Sequence, residues 1–537
     1  MNALPQFPRP VNEPEFDYRA HAEGRAELHR RLSSTEVAEI PAVIGGKRIY
    51  SGDVEEVRAP HDRGRLLARI HRPSAADVGT AIESSLLAAR EWAALPFDKR
   101  ASVFLRAAEI VGQVRRHEIT AATMLGQSKT VDQAEPDAAG ELMDFMRFNV
   151  FEAQKIHAQQ PLTVASAMNR TDWRPLEGFV YAVSPFNFTA IGANLCCGPA
   201  LMGNVSVWKP SQKSALANWT FFQILEQAGL PPGVINFIPA DPAMATRVVL
   251  ESRDFAGLHF TGSSQVFKSL WRSIGEKVDA YRTLPRIVGE TGGKDFVLAH
   301  PSADPVEIVT ALIRGAFEYQ GQKCSAASRA YVPRSLWPAV KVGLQERLAE
   351  LRIGDVALPE TFMGAVIDGA SHSRLAGRIA GAKEDPQATL IHGGRTWTDP
   401  GWFIEPTVIE VTDPRHALMR DELFGPVLSV FVYADAEWEE TLRLVDETSD
   451  YALTGSVFCV DRHALLQAEG VLRNAAGNLY INTKPTGAVV GQQPFGGGRA
   501  SGTNDKAGSW MNLLRWTSPR VIKESYLPQG PWRFTGY

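Results

Sequence analysis

Three observations predict an α/β fold of two doubly wound parallel sheets with a protruding β-ribbon. From Gly178, strand-like and helix-like stretches alternate, which specifies a parallel sheet covered on both faces with ligands beyond the strand carboxyl ends. A second alternation runs from about Gly292 to about Gly502. Between the early helices and the first alternation, the stretch QQPLTVASAMNRTDWRPLEG keeps neither rhythm.

In chain order, residues 1 to about 50 are Pro-rich and then charged, and read as an arm that packs on the surface or on another subunit. From Ala76, DVGTAIESSLLAAREW, DKRASVFLRAAEIVGQV and GELMDFMRFNVFEAQKIH space apolar residues at three and four, the mark of helices with a core-facing stripe. The β-branched and aromatic residues of 159–177 suit a hairpin or ribbon, which needs a partner because two strands alone are marginal. FVYAVSP, NVSVWKP, VINFIPA and GLHFTGS read as strands, separated by the helices TAIGANLCCGPALM and SALANWTFFQILEQAG and followed by the helix SQVFKSLWRSIGEKV. The second unit includes DPVEIVTALIRGAFEYQG, PAVKVGLQERLAELR, the strand LFGPVLSVFVY and a Gly-rich, nearly charge-free loop through VGQQPFGGGRASG, a length that in a compact domain marks either function or disorder. LLRWTSPRVIKESY reads as a last strand available to the ribbon.

Composition narrows the partners. Lys and Arg number 56 against 60 Asp and Glu, a net charge of -4, so neither nucleic acid nor an anionic membrane is an expected partner. The most apolar window, 190–208, contains Asn194, Pro199 and Asn204, which favour a buried helix, turn and strand over a membrane span. The four cysteines form no disulfide framework and fit a reducing compartment. With no basic flank and apolar core at the N-terminus, the expected location is the cytoplasm. No HExxH or Cys/His cluster occurs, so no metal is expected.

The candidate chemistry centres on Cys324, which follows a helix-like run on a turn of small and polar residues in GAFEYQGQKCSAASRAYV. A free cysteine is more often a small buried packing residue, and Cys196, Cys197 and Cys459 read that way. Company sets Cys324 apart: Glu290 in IVGETGGKDFVL and Asn187 in AVSPFNFTA. A thiol, a carboxylate and an amide can attack a carbonyl, activate water and hold an oxyanion. Lys323 is a candidate activator of the thiol and reads equally as a solvated surface charge. The FTGSS stretch taken alone is an ordinary helix N-cap, with Phe267 where a glycine fingerprint needs a small residue.

Seven blocks in order, SPFNFTA, VWKPS, FTGS, GETGGK, GQKCSA, ELFGPV and VGQQPFGG, resemble the aldehyde dehydrogenase superfamily from about residue 40 onward. FNFTAIGANL, FEYQGQKCSA and TGAVVGQQPFGGGRASGTNDKAG are similar, more narrowly, to its 1-pyrroline-5-carboxylate dehydrogenase branch. The resemblance implies an NAD-binding domain over 1–158 and 178–291 (with an N-terminal arm over 1–40), a catalytic domain over 292–505, and an oligomerisation ribbon with C-terminal strand over 159–177 and 506–537. It implies Cys324 as nucleophile, Glu290 as the group that activates water and Asn187 as the oxyanion amide. Ser184, Lys209, Gly262, Ser263 and Glu422 match contacts to NAD; Ser325, Gly487 and Ala488 match a clamp on the substrate's α-carboxylate; Phe188 and Phe495 match the aromatic pair beside its methylenes.

The implied reaction is NAD-dependent oxidation of L-glutamate γ-semialdehyde to L-glutamate in proline catabolism, by a homo-oligomer of at least two subunits in possible transient contact with proline dehydrogenase. The alternative is hydrolytic oxidation of another semialdehyde or an aliphatic aldehyde. Two positions depart from the pattern: Gln212 stands where many NAD-preferring members carry Glu, and Ala488 offers a backbone N–H where some relatives carry Ser.

Overall fold

Side chains along a strand point alternately to its two faces, so a strand apolar throughout must be covered twice. Phe179–Val183 shows this directly: Val180 and Ala182 join one core with Trp208 and Phe221, while Phe179 and Tyr181 join another with Val207 and Phe267. The computed structural model describes residues 6–527 together with 530 and 532. It places that strand third in a seven-stranded sheet ordered Arg286–Glu290, Phe255–Thr261, Phe179–Val183, Ser206–Lys209, Ile235–Phe237, Ala42–Ile44, Lys47–Ile49. The first five strands run parallel, and the last two are added antiparallel.

The second seven-stranded sheet is ordered Ala388–His392, Thr407–Val411, Val427–Tyr433, Ala327–Pro333, Asp295–Ala299, Thr454–Phe458, Asn478–Ile481. All but the first strand are parallel. The two sheets are joined by the short link from Glu290, the end of the last strand in the first unit, to Asp295, the start of the next. Strand carboxyl ends of one sheet therefore meet strand amino ends of the other, and the functional loops of both converge there.

Two local expectations need correction, and the arm lies where one of its two readings put it. Residues 159–177 hold one antiparallel bridge of their own, Val164 opposite Ala167, rather than a full hairpin: the strand Ala167–Arg174 pairs antiparallel with Ser518–Ser525, the last strand that the sequence offered to the ribbon, in register from Arg174 opposite Ser518 to Ala167 opposite Ser525. The ribbon thus joins two segments far apart in the chain, with Asp172 and Arg520 separated by 348 residues. Residues 506–517, grouped with the ribbon by sequence, instead enter the first core, where Leu513 and Trp516 are buried and Asn204 donates to the Trp516 carbonyl at 2.8 Å. The N-terminal arm packs on its own chain: the Phe7 N–H donates to Gln154, and Asn12 Nδ2 donates to the Val490 carbonyl at 2.8 Å. A hairpin of Val54–Ala59 and Asp62–His71 follows the arm where sequence periodicity assigned nothing.

Candidate active site

The nucleophile turn is shaped by backbone that side chains rarely adopt. Helix Pro305–Phe317 ends, and Tyr319, Gln320 and Gly321 then take φ of 53°, 57° and 63°. Two non-glycine residues in the left-handed region need outside support. Gln320 receives it, donating to the carbonyls of Ser128 at 2.8 Å and Ala365 at 2.6 Å while accepting from the Gly364 N–H at 3.2 Å. Gln322 accepts from the Ile367 N–H at 2.9 Å. The chain is thereby turned sharply, presenting Cys324 before strand Ala327–Pro333 begins.

Cys324 is partly exposed, whereas Cys196, Cys197 and Cys459 are buried. Burial of its sulfur, then the neighbouring carboxyls of Glu290, Asp295 and Glu422, push its thiol well above the ordinary value. Glu290 ends strand Arg286–Glu290, and burial likewise pushes its carboxyl well above the usual range, with Lys506 opposing. Its Oε2 is buried without any hydrogen-bond partner. A carboxyl left unpaired in a protein interior is expensive, and here it opens on the cavity that holds the Cys324 thiol. Asn187 is buried and donates from Nδ2 to the Gln322 carbonyl at 3.0 Å, which ties it to the nucleophile turn. An amide nitrogen carries two N–H donors, so that bond leaves a second.

The shared cavity measures about 370 Å³ and is lined by Cys324, Glu290, Phe188, Phe495, Ser325, Gly487 and Ala488. Seven residues scattered across the sequence thus meet around one opening. Gly487 has φ of 93°, a conformation that glycine adopts without steric penalty. Ser325 donates to the Thr486 hydroxyl at 2.9 Å, joining the nucleophile segment to the loop that carries Gly487. Lys323 is not a solvated surface charge: it is buried and paired with Glu318 at 3.1 Å.

Several cavity residues were not legible in the sequence. Glu141 lines the cavity, and burial followed by Asp137 pushes its carboxyl up to about 8. Lys129 and Asp137, both buried, pair at 2.6 Å, and Asp137 accepts from the N–H groups of Thr189 and Ala190 at 2.9 Å each. It thereby satisfies the start of helix Thr189–Leu201, immediately after Asn187 and Phe188. Asn12, Glu13 and Glu15 of the arm also line the opening. A lysine and carboxylates inside otherwise apolar helical stretches were the available signal.

The five residues matched to cofactor contacts lie outside this cavity, around the carboxyl ends of the first sheet. Lys209 ends strand Ser206–Lys209 and is buried, and its ammonium makes no hydrogen bond or ion pair among the described residues; burial lowers that ammonium to about 8. Glu422 accepts from the Gly293 N–H at 3.0 Å, and burial raises its carboxyl to about 7. It packs so closely on Gly292 that a Cβ there would meet its oxygen at 2.1 Å. Gly262 precedes Ser263, whose hydroxyl accepts from the Val266 N–H at 3.2 Å and caps helix Ser264–Glu276. The hydroxyl of Ser184 is committed to the frame, accepting from Trp208 Nε1 at 2.6 Å and donating to the Gly192 carbonyl at 2.9 Å. An unpaired buried ammonium, a buried carboxyl and a capped helix start suit a ligand bearing ribose hydroxyls and phosphates, so the residues present fit NAD. Among the described residues, no group of three or more His, Cys, Asp or Glu is placed to hold a metal, and no helix is long and apolar enough to cross a membrane.

Two facing parallel-sheet units with a cysteine and a carboxylate at their junction define an aldehyde-oxidising class of protein, and the chain belongs to the aldehyde dehydrogenase family, whose model matches residues 50–522. It is 48% identical over 532 residues to the mitochondrial delta-1-pyrroline-5-carboxylate dehydrogenase of Dictyostelium discoideum, covering 98% of this chain and 95% of that one. To the Homo sapiens protein of the same name it is 47% identical over 527 residues, covering 98% and 94%. The solved Delta-pyrroline-5-carboxylate dehydrogenase from Mycobacterium tuberculosis bound with NAD superposes with a TM-score of 0.96 at 48% identity, covering 99% of each chain.

Proposed function

We propose that this protein oxidises L-glutamate γ-semialdehyde, the open form of 1-pyrroline-5-carboxylate, to L-glutamate in proline catabolism, with NAD as cofactor. The observation that carries the reading is the single cavity joining Cys324 and Glu290 to Ser325, Gly487 and Ala488. The first two supply chemistry for an aldehyde, and the others supply donors for a carboxylate. Relatives named delta-1-pyrroline-5-carboxylate dehydrogenase, and a solved one bound with NAD, support the same substrate and cofactor.

In this mechanism the Cys324 sulfur, as thiolate, adds to the aldehyde carbon. The resulting oxyanion accepts hydrogen bonds from the Asn187 amide and the Cys324 backbone N–H, and losing one such donor typically costs about 3 kcal/mol. Lys209, Glu422 and the helix start at Ser263 would hold NAD, which when bound supplies the hydride acceptor that converts the hemithioacetal on Cys324 into a thioester. Glu290 then takes a proton from water, and the hydroxide attacks the thioester carbon, freeing L-glutamate and the thiol. Phe188 and Phe495 flank the aliphatic chain, and the Gly487–Ala488 turn with Ser325 grips the head group.

Residues 167–174 and 518–525 are proposed to add to a second subunit, because a two-stranded ribbon half-exposed on both faces is marginal alone. A transient contact with proline dehydrogenase belongs to the same reading. Four unpaired cysteines support a reducing compartment, for which we propose the cytoplasm. Steady-state kinetics test the assignment: 1-pyrroline-5-carboxylate with NAD is expected to give the highest kcat/KM. A higher value with succinate semialdehyde or an aliphatic aldehyde would replace the substrate, and a higher value with NADP would replace the cofactor.

A further inference from the structure

Three cations share one buried carboxylate beside the cavity. Glu318 pairs with Arg314 at 2.6 Å through Oε1, and with Lys484 at 2.8 Å and Lys323 at 3.1 Å through Oε2. All four residues line the cavity that holds Cys324. Such a cluster carries more positive than negative charge, and burial strengthens its reach.

Lys484 lies beside the Gly487 turn of the carboxylate clamp. A Cβ added to Gly487 would lie 3.7 Å from its Cε and 4.0 Å from its Nζ. Its side chain keeps 21% of its surface exposed, against 5% for Glu318 and 8% for Lys323. An ammonium carries three donors, and Lys484 makes only the one bond to Glu318 among the described residues. The cavity's other carboxyls come from different segments, among them Glu13 and Glu15 of the arm, Glu141 and Asp144 at and just after the start of helix Leu142–Ala158, and Glu290. The lysine and arginine side chains of the opening are therefore gathered on Glu318, while its other carboxyls lie elsewhere along the chain.

We propose that Lys484, held on Glu318 beside the Gly487–Ala488 turn, supplies the positive charge that selects an aldehyde carrying an α-carboxylate over a neutral aldehyde of similar length. Lys484 is a specificity-determining residue, and Glu318 is the positioning residue that keeps its ammonium at the turn. This inference rests on the proposed semialdehyde reading and adds to it the group that distinguishes the head group.

The test compares wild type, Lys484→Met and Lys484→Arg with 1-pyrroline-5-carboxylate and with pentanal, and measures L-glutamate binding to the NAD-loaded protein by calorimetry. Arg314 and Lys323 keep Glu318 paired in both variants. In Lys484→Met the ratio of kcat/KM for the carboxylate-bearing aldehyde to that for pentanal is expected to fall roughly tenfold or more, mainly through KM, with a matching loss of L-glutamate affinity. Lys484→Arg should recover most of both. A parallel fall on the two aldehydes with unchanged L-glutamate affinity would reduce Lys484 to a structural prop and overturn the inference alone. A wild type that neither oxidises 1-pyrroline-5-carboxylate nor binds L-glutamate would overturn the semialdehyde reading and this inference with it.

Discussion

The carboxyl of Glu290 raises the pKa of the Cys324 thiol, and both groups open on the same cavity. Their environments oppose charge on each: burial is the largest influence on the thiol and on the carboxyl alike. Such shifts are typical of groups that must exchange protons during catalysis. They also make the pair testable, because removing one group must move the other.

Replacing Glu290 with Gln removes a negative neighbour, so the Cys324 thiol should titrate at lower pH in Glu290→Gln than in wild type. Rates of iodoacetamide alkylation, followed across pH with peptide mapping to Cys324, measure the midpoint directly. An unchanged or higher midpoint would mean that the two groups do not interact.

Lys209 is held near pKa 8 by burial. Below that value its ammonium is charged and available to the cofactor, and above it the charge is lost. NAD affinity of the wild type should therefore weaken as pH rises through about 8, and Lys209→Met should bind NAD roughly tenfold more weakly at neutral pH with a flatter profile. Calorimetric titration with NAD across pH distinguishes this from a lysine remote from the cofactor, for which the two profiles would coincide.

Asp137 pairs with buried Lys129 and satisfies the first N–H groups of helix Thr189–Leu201. Removing one partner of a buried pair leaves an uncompensated charge, so Asp137→Ala should lose about 3–5 kcal/mol of stability. Because that helix begins directly after Asn187 and Phe188, kcat should fall as well. Denaturant unfolding and steady-state kinetics check the two effects, and a variant as stable as wild type would remove Asp137 from this role.

Truncation after Thr517 deletes strand Ser518–Ser525 and strands Ala167–Arg174 without its partner. With the ribbon as the proposed subunit contact, the truncated protein should show a smaller assembly than the full chain, as read by light scattering after size-exclusion chromatography. Retention of the wild-type mass would place the subunit contact elsewhere.

The alternation of strands and helices was legible because each strand in the sheets must be covered on both faces, which leaves long apolar runs such as Phe255–Thr261. The arm and the hairpin Val54–His71 were not, because their strands are largely exposed and their polar residues carry no clean period. Residues 159–177 suited a hairpin as well as a ribbon because a strand's composition does not say how far away its partner lies. At the site, Cys324, Glu290 and Asn187 could be singled out by chemical type, whereas Lys323 read as surface charge because its partner Glu318 is made relevant only by the left-handed turn at Tyr319 and Gln320. Glu141 was invisible for the same reason: periodicity marks a face, and only the packed structure shows that the face borders a cavity.

The most direct test of the central claim is peptide mass spectrometry of Glu290→Gln after a single turnover with NAD and 1-pyrroline-5-carboxylate. With the nucleophile intact and the water-activating carboxylate gone, NADH should form in one burst and a γ-glutamyl thioester should accumulate on the peptide bearing Cys324. A burst with no adduct, or an adduct on Cys196, Cys197 or Cys459 instead, would contradict the assignment of Cys324 and Glu290 to consecutive steps at one carbon.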